Sequence, residues 1–310
     1  MYEKWKGVHT RCAFNMIQEL IPLTRPRTLA AALGPTILGA AFSYYAFGAA
    51  QGTGLAILHT VLIFLAVVTA QIVANLWNEY KDFKSGLDAG QKVGNAGSIT
   101  RGVITPELII TMIKVLMFVP IIIGLYLSTT ITWYYIPVGF LCILISFLYS
   151  GGPKPISRTP FGEISSGIAM GFAIVLITGY AWTRELSLAL LIPAIPSTLL
   201  VGSIMLTNNI RDIRNDESHG RHTLPIMLGR ERALSLMSIS YIFNFIWIIA
   251  WIIVGHMTWF ALLAFLAAPL AFKTIHTLST NTDEFQLDKA MGTTAGAAMI
   301  YQLMLSLIHI

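Results

Sequence analysis

The sequence predicts an all-α protein that crosses a membrane several times. Of its 310 residues, 55% are hydrophobic and only 11% are charged, and the mean hydropathy is +0.69. In soluble domains roughly a quarter of the residues are charged. Apolar stretches of about twenty residues recur, and each is long enough to cross ~30 Å of hydrocarbon as a helix. These observations exclude a soluble, disordered, collagenous or disulfide-stapled chain.

Nine apolar segments are expected to be transmembrane helices. In hydrocarbon every backbone polar group must bond within the structure, and runs without period-2 alternation favour helices over barrel strands. Residues 23–310 are therefore expected to form one membrane domain. The nine segments cover 23–47, 55–79, 106–127, 132–150, 161–182, 187–208, 234–254, 257–275 and 289–309.

Residues 1–22 precede the first segment. They lack the cleavable apolar core of a signal peptide. Apolar residues with helical spacing predict a short helix on the membrane surface, although a plain tail is the alternative. These residues are Ala13, Phe14, Ile17, Leu20 and Ile21.

The distribution of basic residues predicts the orientation. The tail and the connections on its side hold 18 of the 20 Lys and Arg residues, whereas the opposite loops hold only Arg184, and Lys114 lies within a span. Positive charge marks the cytoplasmic side, so the N-terminus is expected to be cytoplasmic. This bias and anionic lipid account for the net charge of +5 without a nucleic-acid partner.

The two cysteines, Cys12 and Cys142, lack metal-ligand spacing.

Polar side chains end the second segment. Asn75, Asn78, Glu79 and Asp82 stand at i, i+3, i+4 and i+7, so they share one helical face, and Asp88 follows on a loop.

The sixth segment ends in a similar way. A shift of 130 residues lays Asn78 on Asn208 and Asp82 on Asp212, so a helical bundle could bring two similar polar faces together. The polar residues here are Asn208, Asn209, Asp212 and Asp216.

Clustered carboxylates predict a cation site. Facing carboxylates favour protonation unless a cation lies among them. Oxygen ligands without Cys or a helical His pair favour Mg²⁺, which binds through one or two carboxylates together with substrate phosphates. A phosphorylated substrate is therefore implied. The alternative is that the Asn residues join helices by hydrogen bonds and the Asp residues are solvated.

Basic residues on the same side are candidates for phosphate binding, or else they only set the topology. Arginine can bind phosphate with two parallel hydrogen bonds, whereas lysine acts as a point charge. Lys154 lies in the restricted connection 151–155, and Tyr149 stands just inside the preceding span. The candidates are Lys92, Arg101, Lys154, Arg211 and Arg221.

These residues resemble a known family. The run 78–88 (NEYKDFKSGLD) resembles the first aspartate-rich motif of the UbiA superfamily of intramembrane aromatic prenyltransferases, and 209–216 (NIRDIRND) resembles the second. The stretches 149–155 (YSGGPKP) and 220–224 (GRHTL), the latter followed by Leu228 and Gly229, look like the branch that prenylates 1,4-dihydroxy-2-naphthoate in menaquinone synthesis.

The resemblance extends over residues 24–310 and implies nine helices around a lipid-open central cavity with a cytoplasmic cap, in the plasma membrane of a bacterium. It implies that Asn78, Asp82, Asp212 and Asp216 are catalytic and hold Mg²⁺ and a diphosphate. By the same resemblance, Arg101, Lys154 and Arg211 would bind phosphate oxygens, with Lys154 also acting in catalysis. The supporting residues would be Asn75, Glu79, Asp88, Tyr149, Asn208 and Asn209. Glu79 and Asn215 depart from the family, which usually has Asp and an acidic residue there.

The implied reaction is transfer of a polyprenyl group from polyprenyl diphosphate to 1,4-dihydroxy-2-naphthoate, with loss of CO₂, to give a demethylmenaquinone. An acceptor such as 4-hydroxybenzoate is the nearest alternative. A transporter is a second one, although the carboxylates lie at one face and not at the midplane. A lipid-binding scaffold is a third, and it predicts no requirement for Mg²⁺.

Overall fold

A computed structural model describes residues 20–87 and 97–307, which are helical and contain no strand. Within these ranges each of the nine predicted segments overlaps one helical segment, so the all-α fold class is confirmed. In chain order they are α1 (Ala30–Phe47), α2 (Thr53–Ser85), α3 (Pro106–Thr130), α4 (Tyr135–Ser150), α5 (Gly162–Thr183), α6 (Leu188–Arg211), α7 (Arg230–Ile253), α8 (Trp259–Thr280) and α9 (Glu284–Ser306).

Six of the described helices, namely α2, α3, α5, α6, α7 and α8, are long and apolar enough to cross a membrane, and α4 is a shorter apolar helix. The number of crossings therefore stays a prediction beyond these six. The predicted surface helix and the loop carrying Asp88 lie outside the described residues, except for a helical stretch from Leu20 to Leu23.

Large apolar side chains cover the outside of the bundle. Phe118 and Ile122 on α3 are 63% and 62% exposed, and Ile239 and Ile246 on α7 are similarly open. Contiguous exposed apolar surface is costly in water, and it is typical of helices that face lipid.

Of the six long apolar helices, α6 is the most enclosed. In its most apolar stretch 56% of the residues are buried, compared with 17% in α3. Its buried side chains, among them Leu200, Ile204 and Ile210, pack with residues of α1, α7, α8 and α9 in the largest hydrophobic core. Residues at the end of α6 are therefore held by packing on several sides.

Helix α5 approaches α6 closely through a π-helical segment, Gly167–Phe172. A Cβ atom on Gly171 would lie 2.6 Å from the Ser197 carbonyl oxygen and 2.6 Å from the Thr198 Cα. Only glycine fits against this backbone, and π-helical turns are frequent next to functional sites.

The two polar helix ends are built differently. Helix α2 continues to Ser85, six residues past the predicted boundary, so it carries Asn78 and Asp82 on an unbroken helix. Helix α6 instead ends at Arg211, where Asp212 adopts φ −94° and ψ 6°, and a short helix, Ile213–Ser218, follows. Asp212 therefore lies at the break, as the N-cap residue of the short helix that contains Asp216, and a continuous helical pattern did not predict this break.

Candidate active site

A cavity of about 290 Å³ lies between α2, α4, α5 and α6. Its deep walls are apolar, whereas its opposite end is polar and is formed by the C-terminal ends of α2, α4 and α6. The apolar wall includes Val67, Ala70, Ile145, Ile174, Ile177, Val201, Ile204 and Met205. The cavity can therefore hold an apolar chain with a charged end.

The α2 side of the polar end is an ordered pair. The amide nitrogen of Asn78 donates to Asp82 Oδ2 at 2.7 Å, and the Ser150 hydroxyl on α4 donates to Asn78 Oδ1 at 2.8 Å. Asp82 is 8% exposed. Its carboxylate is therefore oriented by its own helix and by α4 before any ligand binds.

The α6 side is centred on Arg211. Its guanidinium makes two parallel hydrogen bonds of 2.7 Å to Asp212, and it also donates to Asp288 at 2.8 Å and to Asn208 at 2.9 Å. Asp288 belongs to α9. This bidentate pair is charge-assisted and fixes the direction of the Asp212 carboxylate.

Arg221 joins the two sides. One terminal nitrogen of its guanidinium lies 2.9 Å from Asp82 Oδ1 and the other lies 3.3 Å from Asp216 Oδ1. The structure thus brings together the two polar clusters, which are 130 residues apart in sequence. The arginine neutralises part of the repulsion between their carboxylates.

Asp216 has the most strongly perturbed carboxyl group outside the spans. Burial raises its pKa to about 7; Arg221 opposes this shift, whereas the nearby carboxylates of Asp212 and Asp82 add to it. Its Oδ2 atom is buried without a hydrogen-bond partner. Such a site gains from an additional cation, because the cation favours the charged form.

The ligand atoms at the polar end of the cavity are of the type that Mg²⁺ prefers, since they are carboxylate and amide oxygens. Among the described residues, however, no group of three His, Cys, Asp or Glu side chains could hold a metal ion by itself. In proteins Mg²⁺ commonly binds through one or two carboxylates together with substrate phosphates and waters.

Three further predicted residues line the cavity. Asn75 donates to the Thr24 carbonyl at 3.1 Å and so braces the chain before α1. Asn209 donates to Glu163 Oε1 at 2.8 Å, and Tyr149 lies near the polar end.

The other predicted residues are placed elsewhere. Glu79 is buried and bonds to the backbone of the α2–α3 connection, not to the cavity. Arg101 and Lys154 are exposed and are not among the cavity-lining residues, so their roles stay predictions. Asp88 lies outside the described residues.

Sequence reasoning missed several residues that line or support the site. Arg25, in a left-handed conformation with φ 51°, and Gln71 both line the cavity. Asp288 pairs with Arg211, and Glu163 holds Asn209. In the sequence, Arg25 stands only among the basic residues that indicate topology, and the two acidic residues have no motif around them.

A membrane bundle that places aspartates and arginines at one end of an apolar cavity is the arrangement of an enzyme acting on an anionic head group with an apolar tail. Residues 32–301 match the UbiA prenyltransferase family, and the chain belongs to this family. It is therefore a multi-pass membrane prenyltransferase.

Individual relatives and solved structures agree with this family membership. The chain is 34% identical over 297 residues to a Bacillus subtilis protein named 1,4-dihydroxy-2-naphthoate octaprenyltransferase, covering 94% of this chain and 92% of that one. A Mycobacterium tuberculosis protein of the same name is 29% identical, covering 90% of this chain and 92% of that one.

The fold matches a UbiA homolog from Aeropyrum pernix K1 with a TM-score of 0.68 and 18% identity, covering 91% of this chain and 98% of the other. A UbiA homolog from Archaeoglobus fulgidus bound to DMAPP and Mg²⁺ matches with a TM-score of 0.60 and 16% identity, covering 93% and 99%. At these identities the likeness concerns the fold alone.

Proposed function

We propose that this protein transfers a polyprenyl group from a polyprenyl diphosphate to 1,4-dihydroxy-2-naphthoate, with loss of CO₂ and diphosphate, to give a demethylmenaquinol, the reduced form of a demethylmenaquinone. The observation that carries the proposal is the cavity with an aspartate and arginine end and an apolar wall. The names of the relatives support the naphthoate as acceptor and do not favour 4-hydroxybenzoate.

Mg²⁺ would be held by Asn78 and Asp82 on one side and by Asp212 and Asp216 on the other. When bound, it supplies Lewis-acid stabilisation of negative charge on the departing diphosphate. The buried, unpartnered Oδ2 atom of Asp216 supports this assignment. The remaining roles belong to side chains of the chain itself.

Arg211 and Arg221 would turn from aspartates to phosphate oxygens when the donor binds. In the structure both guanidinium groups are paired with carboxylates, at 2.7 to 3.3 Å. Binding a cation together with an anionic diphosphate gives every carboxylate and every arginine a new partner of opposite charge. The exchange therefore avoids leaving a buried charge unpaired, which would be costly.

The apolar wall would hold the polyprenyl tail and keep water from the reacting carbon. The bond between the allylic carbon and the diphosphate oxygen breaks, and the electron-rich naphthoate ring forms the new carbon–carbon bond. Arginines preorganised at the departing oxygens stabilise charge as it develops. The ring carboxylate leaves as CO₂, and its bonding electrons return to the ring.

The proposed setting is a bacterial plasma membrane, with nine helices, a cytoplasmic N-terminus and the active site under a cytoplasmic cap. Residues 23–310 would form the catalytic domain and residues 1–22 a cytoplasmic segment. The unequal distribution of Lys and Arg supports this orientation.

The test is a reconstituted reaction. The purified protein is incubated with a polyprenyl diphosphate, Mg²⁺ and either 1,4-dihydroxy-2-naphthoate or 4-hydroxybenzoate, and the products are identified by mass spectrometry. We expect a decarboxylated prenylated naphthalene and no reaction after Mg²⁺ is chelated. Turnover of 4-hydroxybenzoate alone would contradict the acceptor, and absence of any prenylated product would leave transport or lipid binding.

A further inference from the structure

The carboxylate of Glu79 is buried away from the cavity and carries an unusual set of hydrogen bonds. Its side chain is 1% exposed, although Asn78 and Asp82 on the same helix end line the cavity. Its Oε1 atom accepts from the backbone N–H groups of Ser98 at 2.7 Å, Gly97 at 3.0 Å and Ile99 at 3.4 Å, and Oε2 also accepts from Gly97 at 3.2 Å.

The bound segment is a compact turn that spans residues 97–104. Gly97 adopts φ 90°, a conformation that favours glycine. The Arg101 N–H donates to the Gly97 carbonyl at 2.9 Å, and the Val103 N–H donates to the Ser98 carbonyl at 3.1 Å. The turn is therefore internally bonded, and its first three N–H groups converge on one carboxylate.

The turn is also fixed by packing. Ile99 and Ile104 are buried in a cluster with Leu76 of α2. Consecutive N–H groups of this kind form an anion-binding concavity, and hydrogen bonds to an ionised carboxylate are strong. Glu79 thus attaches the turn to α2 one helical turn before Asp82.

Arg101 is the functional candidate within this turn. Its guanidinium donates to the Ser98 hydroxyl at 3.2 Å, and Ser98 is the residue that makes the shortest bond to Glu79. A displacement of Ser98 would therefore also displace the guanidinium group of Arg101.

We propose that Glu79 is a positioning residue and not a ligand of the metal. It locks the 97–104 turn to the end of α2 that carries Asn78 and Asp82, so that Arg101 is held beside this helix end, from where it would reach the donor diphosphate. The role assigned to Arg101 rests on the proposed function, whereas the attachment of the turn does not.

Two variants separate hydrogen-bonding reach from charge. Glu79→Asp keeps the charge but shortens the side chain by one methylene, so it cannot reach all three N–H groups. Glu79→Gln keeps the length but removes the charge and places an NH₂ group where a carboxylate oxygen accepts from Gly97. A metal ligand would tolerate Asp better than Gln, whereas the anchor is weakened by both. Glu107→Gln, an exposed Glu in the first turn of α3, is the matched control.

The first measurement is amide hydrogen exchange of peptides covering 97–104 in the purified protein without substrate or Mg²⁺. Both Glu79 variants should exchange at least about 10-fold faster at residues 97–99 than the unaltered protein, because hydrogen-bond protection is lost. Glu107→Gln should not change this exchange. Unchanged exchange in both Glu79 variants would overturn the anchor, whatever the activity shows.

The second measurement is kinetic. We expect kcat/KM for the prenyl donor to fall by about 10-fold in each Glu79 variant, with the Mg²⁺ concentration for half-maximal rate unchanged, since a displaced arginine weakens phosphate binding. In Glu79→Gln combined with Arg101→Gln the loss should be no larger than in Arg101→Gln alone. Additive losses, unchanged kcat/KM, or a 10-fold higher Mg²⁺ requirement would each overturn the positioning role.

The two hypotheses fail in different ways. If the unaltered protein transfers no prenyl group to any acceptor, the proposed function is wrong, and hydrogen exchange still decides whether Glu79 anchors the turn. Size-exclusion chromatography in detergent is used to check that each variant is folded. Where Glu79→Gln does not fold, Glu79→Asp supplies the same comparison.

Discussion

At the scale of single residues, Arg221 is the contact on which the two halves of the site depend. It bonds to Asp82 on α2 and to Asp216 after α6, and its guanidinium is the only one among the described residues that pairs with both. Arg211 is confined to the α6 and α9 side, where it holds Asp212 and Asp288. The carboxylates therefore have fixed directions before substrate arrives.

We expect Asp82→Asn and Asp212→Asn each to reduce turnover by roughly 100-fold or more, because a neutral amide removes a negative charge that would hold the cation, and the transition state gains most from preorganised charge. Initial rates of prenyl transfer measure this loss, and thermal unfolding in detergent checks the fold. A variant with near-normal rates would remove that aspartate from the mechanism.

Arg221→Gln should lower kcat/KM for the donor by roughly 100-fold, since it leaves Asp82 and Asp216 without their shared cation and removes a phosphate ligand. Lys154, which is exposed, is the comparison. If Lys154 also binds the diphosphate, Lys154→Ala should weaken donor binding, and Lys154→Arg should restore part of it.

Steady-state kinetics, with the donor and the acceptor concentrations varied separately, decide whether Lys154 and Arg221 bind the diphosphate. Unchanged donor KM and kcat in Lys154→Ala would leave Lys154 as a topology determinant. Normal donor kinetics in Arg221→Gln would instead show that the bridge between Asp82 and Asp216 is structural.

At the scale of helices, α5 and α6 both line the cavity and approach each other closely. The π-helical segment presents Gly167 and Gly171 to the backbone of Ser197 and Thr198. Because the obstacle is backbone, a side chain cannot be accommodated by a rotamer change. The helices would have to separate.

Gly171→Ala should therefore destabilise the protein by about 1–3 kcal/mol through overpacking. Gly124→Ala is the control: Gly124 lies inside α3, nothing within 4 Å meets its added Cβ, and alanine favours the helix. The midpoint of thermal unfolding in detergent distinguishes the two. Equal midpoints would mean that α5 and α6 are less tightly packed than the structure indicates.

At the scale of the whole molecule, membrane orientation decides which side the substrates come from. Single cysteines at Gln51 and Thr129 should react with an impermeant thiol reagent from outside intact cells, whereas cysteines at Ser218 and Thr282 should not. The background is Cys12→Ser and Cys142→Ala. All four positions lie next to helix ends. The positive-inside distribution is the physical reason for this expectation.

Mass spectrometry of the labelled protein, with and without permeabilisation, measures the pattern. The same four cysteines should all react once the membrane is opened. Reversed labelling would overturn the cytoplasmic position of the active site, because Asp216 and Ser218 lie on the same short helix.

Much of this architecture is predictable because hydrocarbon imposes it. Apolar length sets the helices and local spacing sets which residues share a face, so Asn75, Asn78 and Asp82 could be grouped on α2 from sequence alone. The pairing of the Asp82 and Asp212 regions followed from their repeated pattern and from the family resemblance. These signals are local or repeated, so they can be recognised in the sequence without the tertiary structure.

Only the tertiary structure decided how charges are matched across the bundle. Nothing near Asp288 or Arg25 in sequence indicates that they meet the site, and Glu79 shares the pattern of Asn78 yet faces a turn. Such contacts depend on helix rotation, on the break at Asp212 and on loop closure, which arise from packing between distant segments. The sequence by itself therefore determined the helical membrane class and the polar clusters, whereas packing chose the partners of each charge, because burial penalises any charge that is left unpaired.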